Sequence, residues 1–270
     1  MFFLLTVLSI GTIVLFIWLT WQKLDRQSRT KTASALLVCV GFVVFFFQFG
    51  HRLGLLRPTG AVVGQGIFQK GLELSEVAGG LGDWWASTVV IIIQNLTIPA
   101  ALAAGCVVIG MIASLARQHD TDPVDDIIRQ RRQSDTFLYF GAALLVVGIM
   151  FDYTWTRWLG FYMPSNPSGK DGAVGIREAY FSLASAWNLY KGVNYSALLA
   201  SVYVPVMAII SARADNALAK RRTSEKDFDE VGFRAKRGLN LSITESARAA
   251  AAILAPFLTG AISALPNLLS

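Results

Sequence analysis

Phe2-Phe3-Leu4-Leu5-Thr6-Val7-Leu8-Ser9-Ile10-Gly11-Thr12-Ile13-Val14-Leu15-Phe16-Ile17-Trp18-Leu19-Thr20-Trp21 carries no charged side chain. A helix needs about 20 predominantly apolar residues to cross the roughly 30 Å hydrocarbon core of a bilayer. This run has that length. Four more apolar blocks follow, over residues 33–49, 86–116, 137–153 and 195–212. A sixth, over 249–269, is Ala-rich and contains Pro256 and Pro266. The reading is an all-α polytopic integral membrane protein. It has five transmembrane helices and a sixth at the C-terminal end, in a single membrane domain over 1–270, with short interfacial helices in its outer loops.

The composition points the same way. The 270 residues are 54% apolar and 16% charged, with a mean hydropathy of +0.49. Soluble domains carry roughly a quarter charged residues. The net charge of +6 would suggest a nucleic-acid partner in a soluble protein. Here the basic residues sit between apolar blocks, so they read as contacts with anionic lipid headgroups, and no specific nucleic-acid binding is expected. Cys39 and Cys106 both lie inside apolar blocks and read as small buried residues rather than a disulfide or a metal site.

Basic residues also set the orientation. Segments 22–32, 117–136 and 213–248 hold four, four and nine Lys or Arg, against three and four in segments 50–85 and 154–194. Lys and Arg collect in cytoplasmic loops. The first three segments are therefore cytoplasmic, the other two are outer loops, and the N-terminus lies outside. The first block has an uncharged start and no small-residue cleavage site, unlike a secretory leader. Lys23, Arg26, Arg29 and Lys31 come after it. It reads as a retained span, in what is expected to be a bacterial inner (cytoplasmic) membrane.

Two hexapeptides frame the outer loops. Leu53-Gly54-Leu55-Leu56-Arg57-Pro58 follows the second block, and Leu159-Gly160-Phe161-Tyr162-Met163-Pro164 follows the fourth. In each, Gly54 or Gly160 reads as the end of a helix, and Pro58 or Pro164 prevents its resumption. Pro99 and Pro205 then interrupt the third and fifth spans, as kinks. The hexapeptides and these two prolines share an offset of 106 residues. The layout suggests a duplicated helical hairpin made of spans 2–3 and 4–5. The competing account is that any two membrane hairpins share such a plan.

Between the third and fourth blocks, Asp120, Asp122, Asp125 and Asp126 superficially suggest a calcium loop, but the required Gly and distal Glu are missing. A helix start explains them better. Asp122 is the N-cap, Pro123 occupies the first helical position, and Asp125 pairs with Arg129 four residues on. The reading is a short surface helix over Pro123–Gln133. A second surface helix, rich in Tyr180, Phe181, Trp187 and Tyr190, is expected over Ile176–Lys191. Ser242 and Glu245 form a capping box ahead of the last block.

Few residues are candidates for chemistry. Gln94, Asn95 and Thr97 lie one turn before Pro99, at membrane depth. They suit interhelical hydrogen bonds, or polar contacts with a solute. Asp152 lies near the outer end of the fourth span with Arg157 close behind. It reads as an interface residue bonding Arg157 or headgroups; the alternative is an ion or proton site. His51 and His119 lie at an interface and in a loop, where no haem or zinc constellation forms. Gly64-Gln65-Gly66 lacks the rest of a dinucleotide fingerprint. No catalytic, cofactor or metal site is expected.

The function expected from these features is a non-enzymatic membrane subunit. It would be a scaffold or channel-wall component of a larger complex, such as a bacterial secretion or conjugation apparatus, with the lipid bilayer, other membrane subunits or further copies of itself as partners. The alternative is a small-solute transporter or channel that uses the polar groups beside Pro99.

Overall fold

The structure is a computed structural model that describes residues 2–21, 99–116, 122–161, 175–224 and 243–268, with single positions or short pieces at 30, 32–35, 37–38, 41, 229 and 232. Five helices account for nearly all of them: α1 (Phe2–Trp21), α2 (Pro99–Ala113), α3 (Pro123–Gly160), α4 (Ile176–Ser224) and α5 (Ile243–Leu268). Among the described residues there is no strand. Three helical segments, Pro123–Trp158, Arg177–Thr223 and Thr244–Leu265, are long and apolar enough to cross a membrane, while Phe3–Leu19 and Pro99–Ala113 are shorter apolar helices.

The buried positions of α1 are Leu5, Ser9, Thr12 and Phe16. They recur at intervals of four, three and four, the spacing of a heptad seam. The hydroxyls of Ser9 and Thr12 donate to the Leu5 and Leu8 carbonyls at 2.7 Å, so no polar atom of the seam goes unmet. The opposite face exposes Phe3, Val7, Ile10, Val14 and Ile17. Water would penalise such a stripe; lipid tails do not.

α1, α2 and α4 run one way and α3 and α5 the other. Phe16 packs against Phe137 of α3 at 6.3 Å between ring centroids, while Leu5 clusters with Leu144 and Phe151. α1 is therefore antiparallel to α3. α2 runs the same way as α1: Ala103 joins the Leu144–Phe151 cluster, and Ser114 meets Ser134 at 2.6 Å. At Gly110 of α2, a Cβ would stand 2.5 Å from the Phe137 ring, so the absent side chain is what admits the ring. α4 is antiparallel to α3, touching it from Asp152–Lys191 through Tyr203–Asp135 to Arg221–Asp122. α5 is parallel to α3. The core gathers Phe16, Met111, Phe137, Leu145, Leu199 and Val206 from four helices, with Ala252 and Ile253 of α5 against it.

The seam of α4 changes period along its length. Tyr180, Ala184, Asn188, Gly192 and Ser196 are buried at intervals of four; Leu199, Tyr203, Val206 and Ile210 follow at intervals of three and four. Small residues every four positions let two backbones meet closely. The partner is Pro256, Gly260 and Ala264 of α5, also four apart and buried. A Cβ on Gly192 would lie 2.7 Å from the Pro256 carbonyl oxygen, and one on Gly260 2.7 Å from the Asn188 carbonyl oxygen. The Phe257 amide, one residue past Pro256, donates to Ser196 Oγ across the crossing at 3.0 Å.

Several sequence expectations change. Pro123–Gln133 is not a separate surface helix but the first turns of α3, which continues without a break for 38 residues. Ile176–Lys191 likewise belongs to α4, which also absorbs 213–224 and totals 49 residues. Polarity rises at these points, but no Gly or Pro directly follows Gln133, Gly192 after Lys191 stays helical within α4, and leaving the hydrocarbon does not itself end a helix. At 1.5 Å per residue, α3 and α4 are about 57 and 73 Å long, well beyond a bilayer core. Pro205 lies inside α4 without dividing it. Arg129 pairs with Asp126 rather than Asp125. Asp126 faces the interior while Asp125 faces out, and the guanidinium follows the inward carboxylate. The prolines and glycine at Gly54, Pro58 and Pro164, most of the second span (33–49), residues 86–98 of the third and Ser242 lie outside the described residues.

Candidate functional site

Polar side chains of the bundle gather at its two ends. One end joins α2, α3 and α4. α2 finishes at Ala113, and its last four carbonyls are met locally by the Ser114 amide and hydroxyl and by the Leu115 and Ala116 amides; the Leu115 and Ala116 carbonyls of the turn beyond it need donors from elsewhere. Arg213 of α4 donates to the Leu115 carbonyl at 2.6 Å and to Gln130 Oε1 at 3.0 Å. Arg129 of α3 donates to the Ala116 carbonyl at 3.0 Å and to Asp126 at 2.5 Å. Gln130, fully buried, completes the ring by donating to Asp126 Oδ2 at 2.9 Å. Positive groups at a helix C-terminus also meet the favourable end of its dipole. Nearby, Asp122 caps α3 by accepting from the Val124 amide at 3.0 Å and holds Arg221 at 2.6 Å. One turn deeper, the Tyr203 hydroxyl donates to Asp135 at 2.6 Å. Arg131 pairs with Glu245 at 2.6 Å and ties α5 to α3.

The other end is aromatic and basic. Asp152 of α3 pairs with Lys191 of α4, both partly buried. Lys191 also lies 5.0 Å from the Trp187 ring, which stacks on Tyr190 at 5.5 Å. Arg157 bonds the Tyr153 hydroxyl and lies 5.4 Å from the Phe181 ring. Arg177 lies over Phe161 at 5.4 Å and over Phe181 at 5.9 Å. Gly160, the last residue of α3, has the Phe181 ring where a side chain would be. The Tyr180 hydroxyl and both amide atoms of Asn188 are buried without a hydrogen-bond partner among the described residues.

The structure thus brings Asp152 and Arg157 to one end but does not pair them; Lys191 takes the carboxylate. Pro99 is the first described residue of α2, and Gln94, Asn95 and Thr97 lie outside the described residues. Among the described residues no three His, Cys, Asp or Glu side chains group in a way that could hold a metal ion. Sequence reasoning missed Lys191, Gln130, Arg213 and the Gly192–Gly260 crossing. A signal existed for the last: Asn188, Gly192 and Ser196 against Pro256, Gly260 and Ala264 form two matching small-residue ladders. Comparison of the chain with protein-family models, curated proteins and solved structures finds no match.

Proposed function

We propose that the chain is a non-enzymatic integral membrane subunit that builds a larger membrane assembly, with five or six spans and its N-terminus outside. The observation that carries this reading is the apolar middle of the bundle among the described residues. Asp135 and Asp152 are 17 residues apart on one helix, about 26 Å at 1.5 Å per residue, close to a hydrocarbon core. Between these levels the interior is Phe137, Leu138, Ala142, Leu145 and Ile149 of α3 with Leu199 and Val206 of α4. One apolar pocket between α2, α3 and α4, beside Val107, Gly141 and Leu199, has a volume of about 10 Å³. A solute path needs polar groups or water at this depth. Among the described residues the charged groups stand at the ends, committed mostly to each other, and the buried hydroxyls between them, Ser9, Thr12 and Ser196, are held in hydrogen bonds, which favours a wall or scaffold over a conduit. The Arg129, Arg131, Arg132, Arg213 and Arg221 end supports a cytoplasmic assignment by charge.

Two measurements test this. Phe161→Cys and Arg222→Cys should be labelled from opposite sides of sealed vesicles; labelling from one side refutes the span assignment. The purified chain in liposomes should carry no ion or small-solute flux, and in mild detergent extracts it should run as part of a larger assembly. Solute flux by the isolated chain, lost in Asp152→Asn, would overturn the subunit reading in favour of transport.

A further inference from the structure

The cations of the bundle are not treated alike. Arg129, Arg131, Arg221 and Lys191 each hold a carboxylate. Arg157 and Arg177, at the aromatic end, are partly buried yet pair with no carboxylate among the described residues. Their partners are uncharged: the Tyr153 hydroxyl for Arg157, the Phe161 carbonyl at 3.5 Å for Arg177, and aromatic rings for both. Glu178 follows Arg177 directly but is exposed and forms no ion pair with either. Both guanidiniums lie against the one Phe181 ring, which bounds their separation at about 11 Å. Stacking on rings fixes each planar fork without neutralising its charge, and a guanidinium fork matches phosphate oxygens bidentately.

We propose that this end of α3 and α4 is a binding site for the phosphate of an anionic phospholipid headgroup, with Arg157 and Arg177 as its ligands. Two half-desolvated cations without a counter-ion among the described residues call for an anion. The site stands just beyond Asp152, at the level where α3 and α4 leave the apolar layer, which is where lipid phosphates lie. The amphiphile is favoured over a free anion because the same end exposes Phe161 at 61% and Leu183 at 49%, surfaces that an acyl chain or glycerol covers. A net-negative headgroup is favoured over a zwitterionic one because a choline or ethanolamine cation would sit beside two guanidiniums.

The test uses the full chain purified in detergent, titrated with phosphatidylglycerol, phosphatidylcholine or inorganic phosphate and read by native mass spectrometry. Phosphatidylglycerol should bind at least about 10-fold more tightly than phosphatidylcholine, and Arg157→Gln with Arg177→Gln should weaken it by roughly 10-fold or more, on the scale of about 1 kcal/mol per basic residue at a lipid surface. Arg132→Gln with Arg222→Gln, exposed at the opposite end, should leave this binding unchanged. Equal binding of the two lipids, displacement by millimolar inorganic phosphate, or full affinity in a folded Arg157→Gln/Arg177→Gln variant would each overturn the proposal. A measurement on the unaltered chain covers failure of that variant to fold. Photoactivatable phosphatidylglycerol should label peptides containing residues 157–161 or 177–181, and labelling confined elsewhere refutes the site. The inference rests on the bundle being embedded in a bilayer. Release by alkaline carbonate without detergent would overturn that reading, whereas an embedded chain without lipid selectivity overturns this site alone.

Discussion

Replacing Gly192 or Gly260 with Ala tests whether the α4–α5 crossing depends on backbone contact. A Cβ at either position would meet a carbonyl oxygen at 2.7 Å and a neighbouring Cα at 3.2 Å. Ordinary contact begins at 3.4 Å, so the oxygen alone demands a shift of 0.7 Å. The obstacle is backbone on both sides, so no rotamer change relieves it; the helices must separate. Overpacking of this kind costs about 1–3 kcal/mol. Separation also lengthens the Phe257–Ser196 bond, four residues from Gly192, an interhelical bond worth about 1 kcal/mol. Against this stands the helix preference of Ala over Gly, about 1 kcal/mol. Controls remove that term: a Cβ on Gly11 or Gly148 meets nothing within 4 Å. The measurement is reversible unfolding in mixed micelles of Gly192→Ala, Gly260→Ala, Gly11→Ala and Gly148→Ala. The crossing pair should be less stable than the control pair by about 2–4 kcal/mol, the overpacking plus the lengthened bond. Equal stability of the two pairs would refute close backbone packing here.

Other outcomes follow from single contacts. Ser196→Ala removes the acceptor of the Phe257 amide and should cost about 1 kcal/mol while speeding hydrogen exchange at Phe257. Lys191→Met leaves Asp152 unmatched near the membrane edge; a double-mutant cycle with Asp152→Asn should return a coupling of about 1–3 kcal/mol in the same unfolding assay, and a coupling near zero would dissolve the pair. Arg213→Ala strips donors from the Leu115 carbonyl and from Gln130, and should destabilise by about 1.5–3 kcal/mol, the range for charge-assisted bonds. Arg132→Ala, exposed at the same end, should be neutral to within about 0.5 kcal/mol.

The helices were legible where periodicity and caps agree. The uncharged run Phe2–Trp21 is α1 from end to end, and the Asp122-Pro123 signal marks the start of α3, with the Asp122 side chain bonded to the Val124 amide. What the sequence concealed was continuity. Residues 134–136 read as a break between a surface helix ending at Gln133 and a span beginning at Phe137, yet a helix has no reason to stop where its solvent changes. The membrane edge is a boundary for side chains, not for the backbone ladder. Charge partners were also hidden. Asp125 and Arg129 have a favourable spacing, but spacing does not say which of two adjacent carboxylates faces inward; burial of Asp126 does. Lys191 and Asp152 are 39 residues apart, and nothing local links them. The α4–α5 crossing was written as small residues every fourth position, a pattern with little meaning until two such ladders are known to face each other.

The turn that follows α2 has a consequence for how the protein is made. Its Ala116 and Leu115 carbonyls are met by side chains that emerge later: Arg129, thirteen residues beyond Ala116, and Arg213, ninety-eight residues beyond Leu115. At about 5–20 residues per second of translation, the first donor follows within seconds and the second after roughly 5–20 s. During that interval the Leu115 carbonyl is served by water or by the insertion machinery. The turn after α2 therefore stays provisional until α4 arrives, and the order of synthesis makes a later helix the one that fixes an earlier turn in place.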